Sequence, residues 1–219
     1  MSTLDLSALT EATDIAITGS PQLISIDLSA LTTVTSGAQI SSNTSMTTLD
    51  LSALTTTGGT YIYGNTSLTT LDLSALTTTG DANIYDNTSL TTLDLSALTS
   101  VAGDATISGN TSLTTLDLSA LTTANTININ TNTLLESVTL NTGLLSLTSI
   151  FSIDTGTLTE ANVDSLLAIF AGLDGTNGTT ALTASNIITI TGTNAPPSAA
   201  GLVSKGIIEA LGATVNVNS

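Results

Sequence analysis

The feature that most constrains this chain is a repeat. The heptapeptide Leu-Asp-Leu-Ser-Ala-Leu-Thr, with isoleucine for its first leucine in the second copy, recurs with its aspartate at Asp5, Asp27, Asp50, Asp72, Asp94 and Asp117. The spacings are 22, 23, 22, 22 and 23 residues. A second marker, an asparagine opening Asn-Thr-Ser-Leu or Asn-Thr-Ser-Met, falls at Asn43, Asn65, Asn87 and Asn110, with a looser copy at Asn132. A third is an isoleucine three residues ahead of that position, at Ile17, Ile40, Ile62, Ile84, Ile107 and Ile129. The pattern then decays, with Thr139 in the aspartate slot and Phe151 in the isoleucine slot. Periods of this length belong to solenoids, in which one repeat cannot bury its own apolar face and neighbours stack to cover it.

Within a unit, Leu71-Asp72-Leu73 alternates, which places both leucines inward and the aspartate outward on a short strand. Ala82-Asn83-Ile84-Tyr85 alternates in the same way, and Gly58, Gly59, Gly80 and Gly103 sit between strands, where the chain must turn. Each unit is therefore one coil of two or three short strands, stacked in parallel at about 4.8 Å. The expected architecture is a leucine-rich β-solenoid of about seven coils over residues 1–155, followed by a small α/β cap over residues 156–219.

The cap is marked by a change of period. Val163, Leu166, Leu167 and Phe170 fall at i, i+3, i+4 and i+7, one apolar face of a helix with Thr159 as its N-cap. Gly172 and Asp174-Gly175 end it. A strand over Asn186–Ile190, a helix from about Ala199 to Leu211 capped by Ser198, and a last strand over Thr214–Val217 complete the reading.

Composition narrows the function. Lys205 is the only basic residue among 219, against 17 acidic ones, for a net charge of -16. A phosphate backbone would repel such a chain, so no nucleic-acid partner is expected. Without cysteine or histidine there are no disulfides, no thiol chemistry and none of the preferred zinc ligands. Charged residues make up 8% and apolar residues 41%, so the chain folds rather than remaining disordered. No basic and apolar leader opens the sequence, so no signal peptide is expected, and no apolar run approaches the length of a membrane span.

The aspartate column is the one feature that invites chemistry. Stacking would place Asp27, Asp50, Asp72, Asp94 and Asp117 in a file, where neighbouring charges repel by about 0.9 kcal/mol in water and several-fold more in a less polar setting. Such a file would raise its own pKa values, bind cations or meet a basic partner. Carboxylates with Ser and Thr oxygens suit calcium, yet no Asp-x-Asp-x-Asp-Gly loop is present. The plainer reading is a solvated column hydrogen-bonded to its Ser and Thr neighbours, with no cofactor. Because every coil repeats the same carboxylate, the two distinct environments of acid–base catalysis are missing, and no enzyme is expected. The asparagine column reads as an internal turn ladder.

Three other features are candidates. Tyr61, Tyr63 and Tyr85 cluster on adjacent coils, either exposed for sugar or protein contacts or partly buried at a coil corner. Thr47-Thr48, Thr69-Thr70, Thr91-Thr92 and Thr114-Thr115 resemble the rows of ice-binding solenoids, although they are read as flanking a strand whose outward slots hold Asp and Ser. Finally, residue 4 already belongs to the repeat, so the first coil presents an open edge. The expectation is that a neighbouring subunit or partner covers it through Leu4 and Leu6; the alternative is that Met1–Ser7 folds over it.

Two resemblances complete the reading. The unit Gly103–Thr123, GDATISGNTSLTTLDLSALTT, resembles the repeat of receptor L-domains and related fungal cell-surface proteins, in which a glycine turn, a short strand, Asn-x-Ser-Leu and Leu-x-Leu-x-x-Leu follow one another. It covers roughly residues 1–155 and lacks that family's cysteine-rich flanks. The segment from Gly192 to Asn218 (GTNAPPSAAG…GATVNVN) resembles a C-terminal module of bacterial and bacteriophage surface or virion proteins with leucine-rich repeats. These likenesses imply a non-enzymatic structural or attachment protein of a virion or cell surface, with a glycan- or protein-recognition module as the alternative and ice binding as a lesser one.

Overall fold

The fold described here is a computed structural model that covers residues 2–141, 146–147, 149–154, 156–173, 175, 182–183, 186–192 and 194–219. The Leu-Asp-Leu segments line one side of it. Thr3–Asp5, Ser25–Asp27, Thr48–Asp50, Thr70–Asp72 and Thr92–Asp94 form a five-stranded parallel sheet in that order. Pairing is residue for residue, so Asp5, Asp27, Asp50, Asp72 and Asp94 stand side by side. Thr115–Leu118 and Ser137–Leu140 follow as a separate parallel pair, with Thr139 beside Asp117.

The rest of each coil builds a larger sheet. In the first two coils one long strand spans it, Glu11–Thr18 and then Thr33–Ser41, with a register shift between Ala12 and Asp14. From the third coil on that strand splits, first into Thr56–Thr57 and Thr60–Tyr63, then into Thr78–Thr79 and Ala82–Tyr85. Glycine marks the split in the third, fourth and fifth coils, at Gly58, Gly80 and Gly103, whereas Asn125 stands there in the sixth. A Cβ on Gly58 would lie 2.1 Å from the Ser36 carbonyl oxygen, and one on Gly80 would lie 1.9 Å from that of Gly58. Successive backbones touch at Gly58 and Gly80, where only hydrogen fits.

The result is a parallel β-solenoid of about six coils at a spacing of about 22 residues. About seven were expected; among the described residues, the seven rungs from Thr3–Asp5 to Ser137–Leu140 bracket six complete turns. Stacking supplies the burial. Ile26, Leu28 and Leu31 of the second coil are at most 2% exposed, whereas Leu4, Leu6 and Leu9, their counterparts in the first, are only partly buried. Each such side chain contributes roughly 1.5–3 kcal/mol when fully buried, a gain that depends on the neighbouring coil.

The asparagine ladder is internal, as the sequence suggested. Asn43, Asn65, Asn87, Asn110 and Asn132 are wholly buried. Each reaches back one coil: Asn87 Oδ1 accepts the Asn65 N–H at 3.1 Å and its Nδ2 donates to the Ile62 carbonyl at 2.9 Å. The residue at the turn just ahead of the asparagine has a positive φ, as Ser42, Gly64, Asp86, Gly109 and Thr131 show.

The larger sheet runs on past the repeats. Ile150–Ile153, Ile187–Ile190 and Thr214–Val217 add three more parallel rungs. Between them lie helix α1 (Glu160–Ala171) and helix α2 (Ala199–Ala210). Thr159 caps α1 by accepting the Asn162 N–H, and Val163, Leu166, Leu167 and Phe170 are buried on its inner face. Phe170 packs against Phe151, ring centroids 4.7 Å apart. Gly172 closes the helix; Asp174, also expected to end it, lies outside the described residues. Ser198 caps α2 through the Ala200 N–H and donates its hydroxyl to Asp164 of α1. No helix among the described residues is long and apolar enough to cross a membrane.

Candidate functional site

The outward face of the aspartate sheet is the leading site. Leu49, Leu71 and Leu93 point into the core, so Thr48 and Asp50, Thr70 and Asp72, and Thr92 and Asp94 point out of it. This corrects the expected assignment, in which Thr flanked the strand and Ser took an outward slot. The strand ends at the aspartate because the aspartate itself makes the turn. Oδ1 of Asp5, Asp27, Asp50, Asp72, Asp94 and Asp117 accepts the N–H of the serine two residues on, at 2.8–3.0 Å. The serine is thereby drawn into the turn and off the sheet.

These donors also set the charge state. The Ser74 side chain, and then its backbone N–H, hold the Asp72 carboxyl below the usual carboxylate range. The Ser7 hydroxyl and N–H do the same for Asp5. Raised values were one of the outcomes expected of such a file; at these two positions the local hydrogen bonds outweigh the opposing effect of burial, and the values fall instead.

A shallow groove of about 440 Å³ runs along this face. Asp27, Asp50 and Asp72 line it together with Ser25, Thr48, Thr70 and Ser52. Asp94 continues the hydrogen-bonded file by one rung, whereas Asp117 belongs to the separate two-stranded pair beyond it. Among the described residues no group of three or more Asp, Glu, His or Cys side chains is placed to hold a metal ion.

The tyrosines lie on the larger sheet, within its strands rather than at a corner. Tyr61 and Tyr63 share Thr60–Tyr63, and Tyr85 stands in register with Tyr63 on the next rung. Their rings stack at 4.6 Å with 5° between planes. All three are half-buried. Two partners carried no signal in the sequence: Asp81 accepts the Tyr61 hydroxyl at 3.1 Å, and Gln39 Nε2 donates to the Tyr63 hydroxyl at 2.8 Å. Both come from neighbouring coils, so only the register could have revealed them. Burial pushes the Tyr61 hydroxyl above its ordinary range, reinforced by Asp81; burial does the same for Tyr85, reinforced by Tyr63.

No protein-family model, no curated protein and no solved structure matches this chain.

The first coil is the remaining candidate. Thr3–Asp5 is itself the first rung, paired in register with Ser25–Asp27, so this segment does not fold across the edge. Leu4, Ile17, Pro21 and Leu23 line an apolar hollow of about 280 Å³ beside it, while Leu6 packs against the core.

Proposed function

We propose that this chain is a non-catalytic attachment module, a structural component of a virion or bacterial surface, that holds a cationic partner on its aspartate sheet. One observation carries the reading: a file of carboxylates in register with no countercharge of its own. Lys205, the only base in the sequence, is paired with Glu209 in α2. Each neighbouring pair in the file costs about 0.9 kcal/mol in water and several-fold more where solvent is displaced, and a basic ligand relieves that repulsion. The groove beside Asp27, Asp50 and Asp72 gives such a ligand a seat, and the Ser and Thr hydroxyls supply further hydrogen bonds. The virion or surface setting is favoured by the leucine-rich repeat and by the likeness of the terminal module. The open first coil, with Leu4 and Leu6, offers a second contact for a neighbouring polypeptide.

The test is binding of the immobilised protein to arrays of basic peptides and of glycans, repeated with Asp27→Asn, Asp50→Asn and Asp72→Asn combined. Asparagine keeps the acceptor for the serine N–H, so the turn survives while the charge goes. Retention of basic ligands that vanishes in the triple variant is expected. Undiminished retention in the variant contradicts the proposal.

A second reading, glycan recognition, draws support from the stacked, half-buried Tyr63 and Tyr85. Retention on glycans that Tyr63→Ala and Tyr85→Ala abolish, with the triple aspartate variant unaffected, would favour it. Ice binding is the weakest: Thr48, Thr70 and Thr92 share a face, but a charged aspartate stands beside each. Thermal hysteresis would reveal it.

A further inference from the structure

Helix α2 carries two apolar faces, and the cap uses only one of them. Gly201 and Ile208 are buried on the inner face. On the opposite side, Leu202, Val203 and Ile207 are 55%, 65% and 47% exposed. Ala199, Gly206 and Ala210 lie within the same stripe, since residues at i, i+3, i+4, i+7, i+8 and i+11 share one side of a helix. A Cβ built on Gly206 meets nothing within 4 Å, so a second backbone could approach there closely. The helix leads through Leu211, Gly212 and Ala213 into Thr214–Val217, the terminal rung of the larger sheet, which pairs on one side only among the described residues. An apolar stripe and an unpaired strand edge thus lie at the same end of the molecule, and each invites association.

Charge says what covers them. Sixteen of the 17 acidic residues fall within residues 5–174, while residues 175–219 hold only Lys205 and Glu209, which pair with each other. The net charge of -16 therefore resides wholly in residues 1–174, and the last 45 residues sum to zero. Two copies meeting through their coils would bring carboxylate files together. Two copies meeting through α2 would join segments whose own charges sum to zero, with the nearby Asp164 carboxylate of α1 held by Ser198, and would leave the aspartate files out of the contact. We infer that α2 and the Thr214–Val217 edge form a self-association surface, and that the occupant is a second copy of this chain. This reading is independent of the aspartate sheet, which stays free in the assembly.

The test is sedimentation velocity of the full chain from micromolar to submillimolar concentration, with Val203→Glu and Ile207→Glu combined, and separately with Leu4→Asp. Both glutamates fall on exposed positions, and an unchanged circular dichroism spectrum checks that the fold survives. A concentration-dependent dimer is expected, weakened about tenfold or more by the double change. Leu4→Asp and the aspartate-sheet variants should leave it intact. A chain that stays monomeric throughout, a dimer indifferent to the two glutamates, or one abolished by Leu4→Asp would overturn the inference. Flotation of the monomer with neutral phosphatidylcholine vesicles through Val203 and Ile207 would also overturn it, naming lipid as the occupant.

Discussion

The side-chain amide of Asn162 lies against the backbone of Val138, accepting its N–H at 3.0 Å and donating to its carbonyl at 2.8 Å. These are the two bonds that the next rung would have made. Helix α1 thus closes the sheet that ends on Ser137–Leu140 by imitating a strand with a single side chain, while the larger sheet beside it continues into the cap. Asn194 acts similarly at the adjacent turn, where its Oδ1 accepts the Leu158 N–H at 3.0 Å. The cap therefore recognises backbone as well as apolar side chains.

Asn162→Ala leaves two backbone groups of Val138 without partners. Each unmade bond at a buried group costs about 1–3 kcal/mol, so a loss of about 2–4 kcal/mol is expected for this partly buried pair. Denaturant unfolding measures it. An unchanged midpoint would mean that the helix covers the edge by packing alone.

The asparagine ladder makes a sharper case, because Asn87 is fully buried. Asn87→Ala orphans the Asn65 N–H and the Ile62 carbonyl, at a cost of about 3 kcal/mol or more. Asn87→Asp should be at least as damaging, since a carboxylate cannot donate to Ile62. Thermal melting of the two variants checks the order. A neutral Asn87→Asp would show that the Nδ2 bond carries little.

Three turns hold strained residues where glycine would rest. Ser42, Asp86 and Thr131 have φ of 57°, 56° and 62°, a region that costs a side chain roughly 1–2 kcal/mol. Their counterparts Gly64 and Gly109 occupy the same place in other coils. Thr131→Gly should therefore stabilise the fold by up to about 1 kcal/mol, the added freedom of the unfolded glycine offsetting part of the relief. Gly58→Ala should destabilise it, because its Cβ would strike the Ser36 carbonyl. Opposite signs in paired melting curves are the expected result.

Acid should bring Asp72 and its neutral replacement together. Its carboxyl is held below the usual range by Ser74, so it contributes stability above the unfolded value of about 3.9 and loses that contribution as pH falls through the lower folded value. The stability difference between the native chain and Asp72→Asn should shrink as pH drops below about 4. Ser74→Ala, which removes the hydroxyl donor, should reduce the difference at neutral pH. A difference that grows on acidification would reverse the sign.

Much of this was legible in the sequence, and the reason is periodicity. The three markers in register gave the coils, the inward leucines and the outward aspartates, because a stack repeats its environment along with its residues. The helices were legible from their caps, Thr159 and Ser198, and the first of them from its apolar period as well. The mutual bonding of neighbouring coils was harder to read. That Thr70 shares a face with Asp72 depended on where the strand stopped, which the Asp72–Ser74 turn decides. That Tyr63 stacks on Tyr85 and meets Gln39 depended on cross-coil register. The role of Asn162 had no repeated counterpart and so no pattern to betray it.

Everything proposed for the outer face requires the aspartates of adjacent coils to stand side by side on it. Because the chain contains no cysteine, this can be tested by placing two. With Asp50→Cys and Asp72→Cys combined, the two Cα atoms lie about 4.8 Å apart across the sheet, within reach of a disulfide. With Asp50→Cys and Asp94→Cys combined they lie about 9.6 Å apart, two rungs away and out of reach. Copper-phenanthroline oxidation of dilute protein should cross-link the first pair and leave the second reduced. Cross-linking of the second pair, or none of the first, would contradict the stacked file.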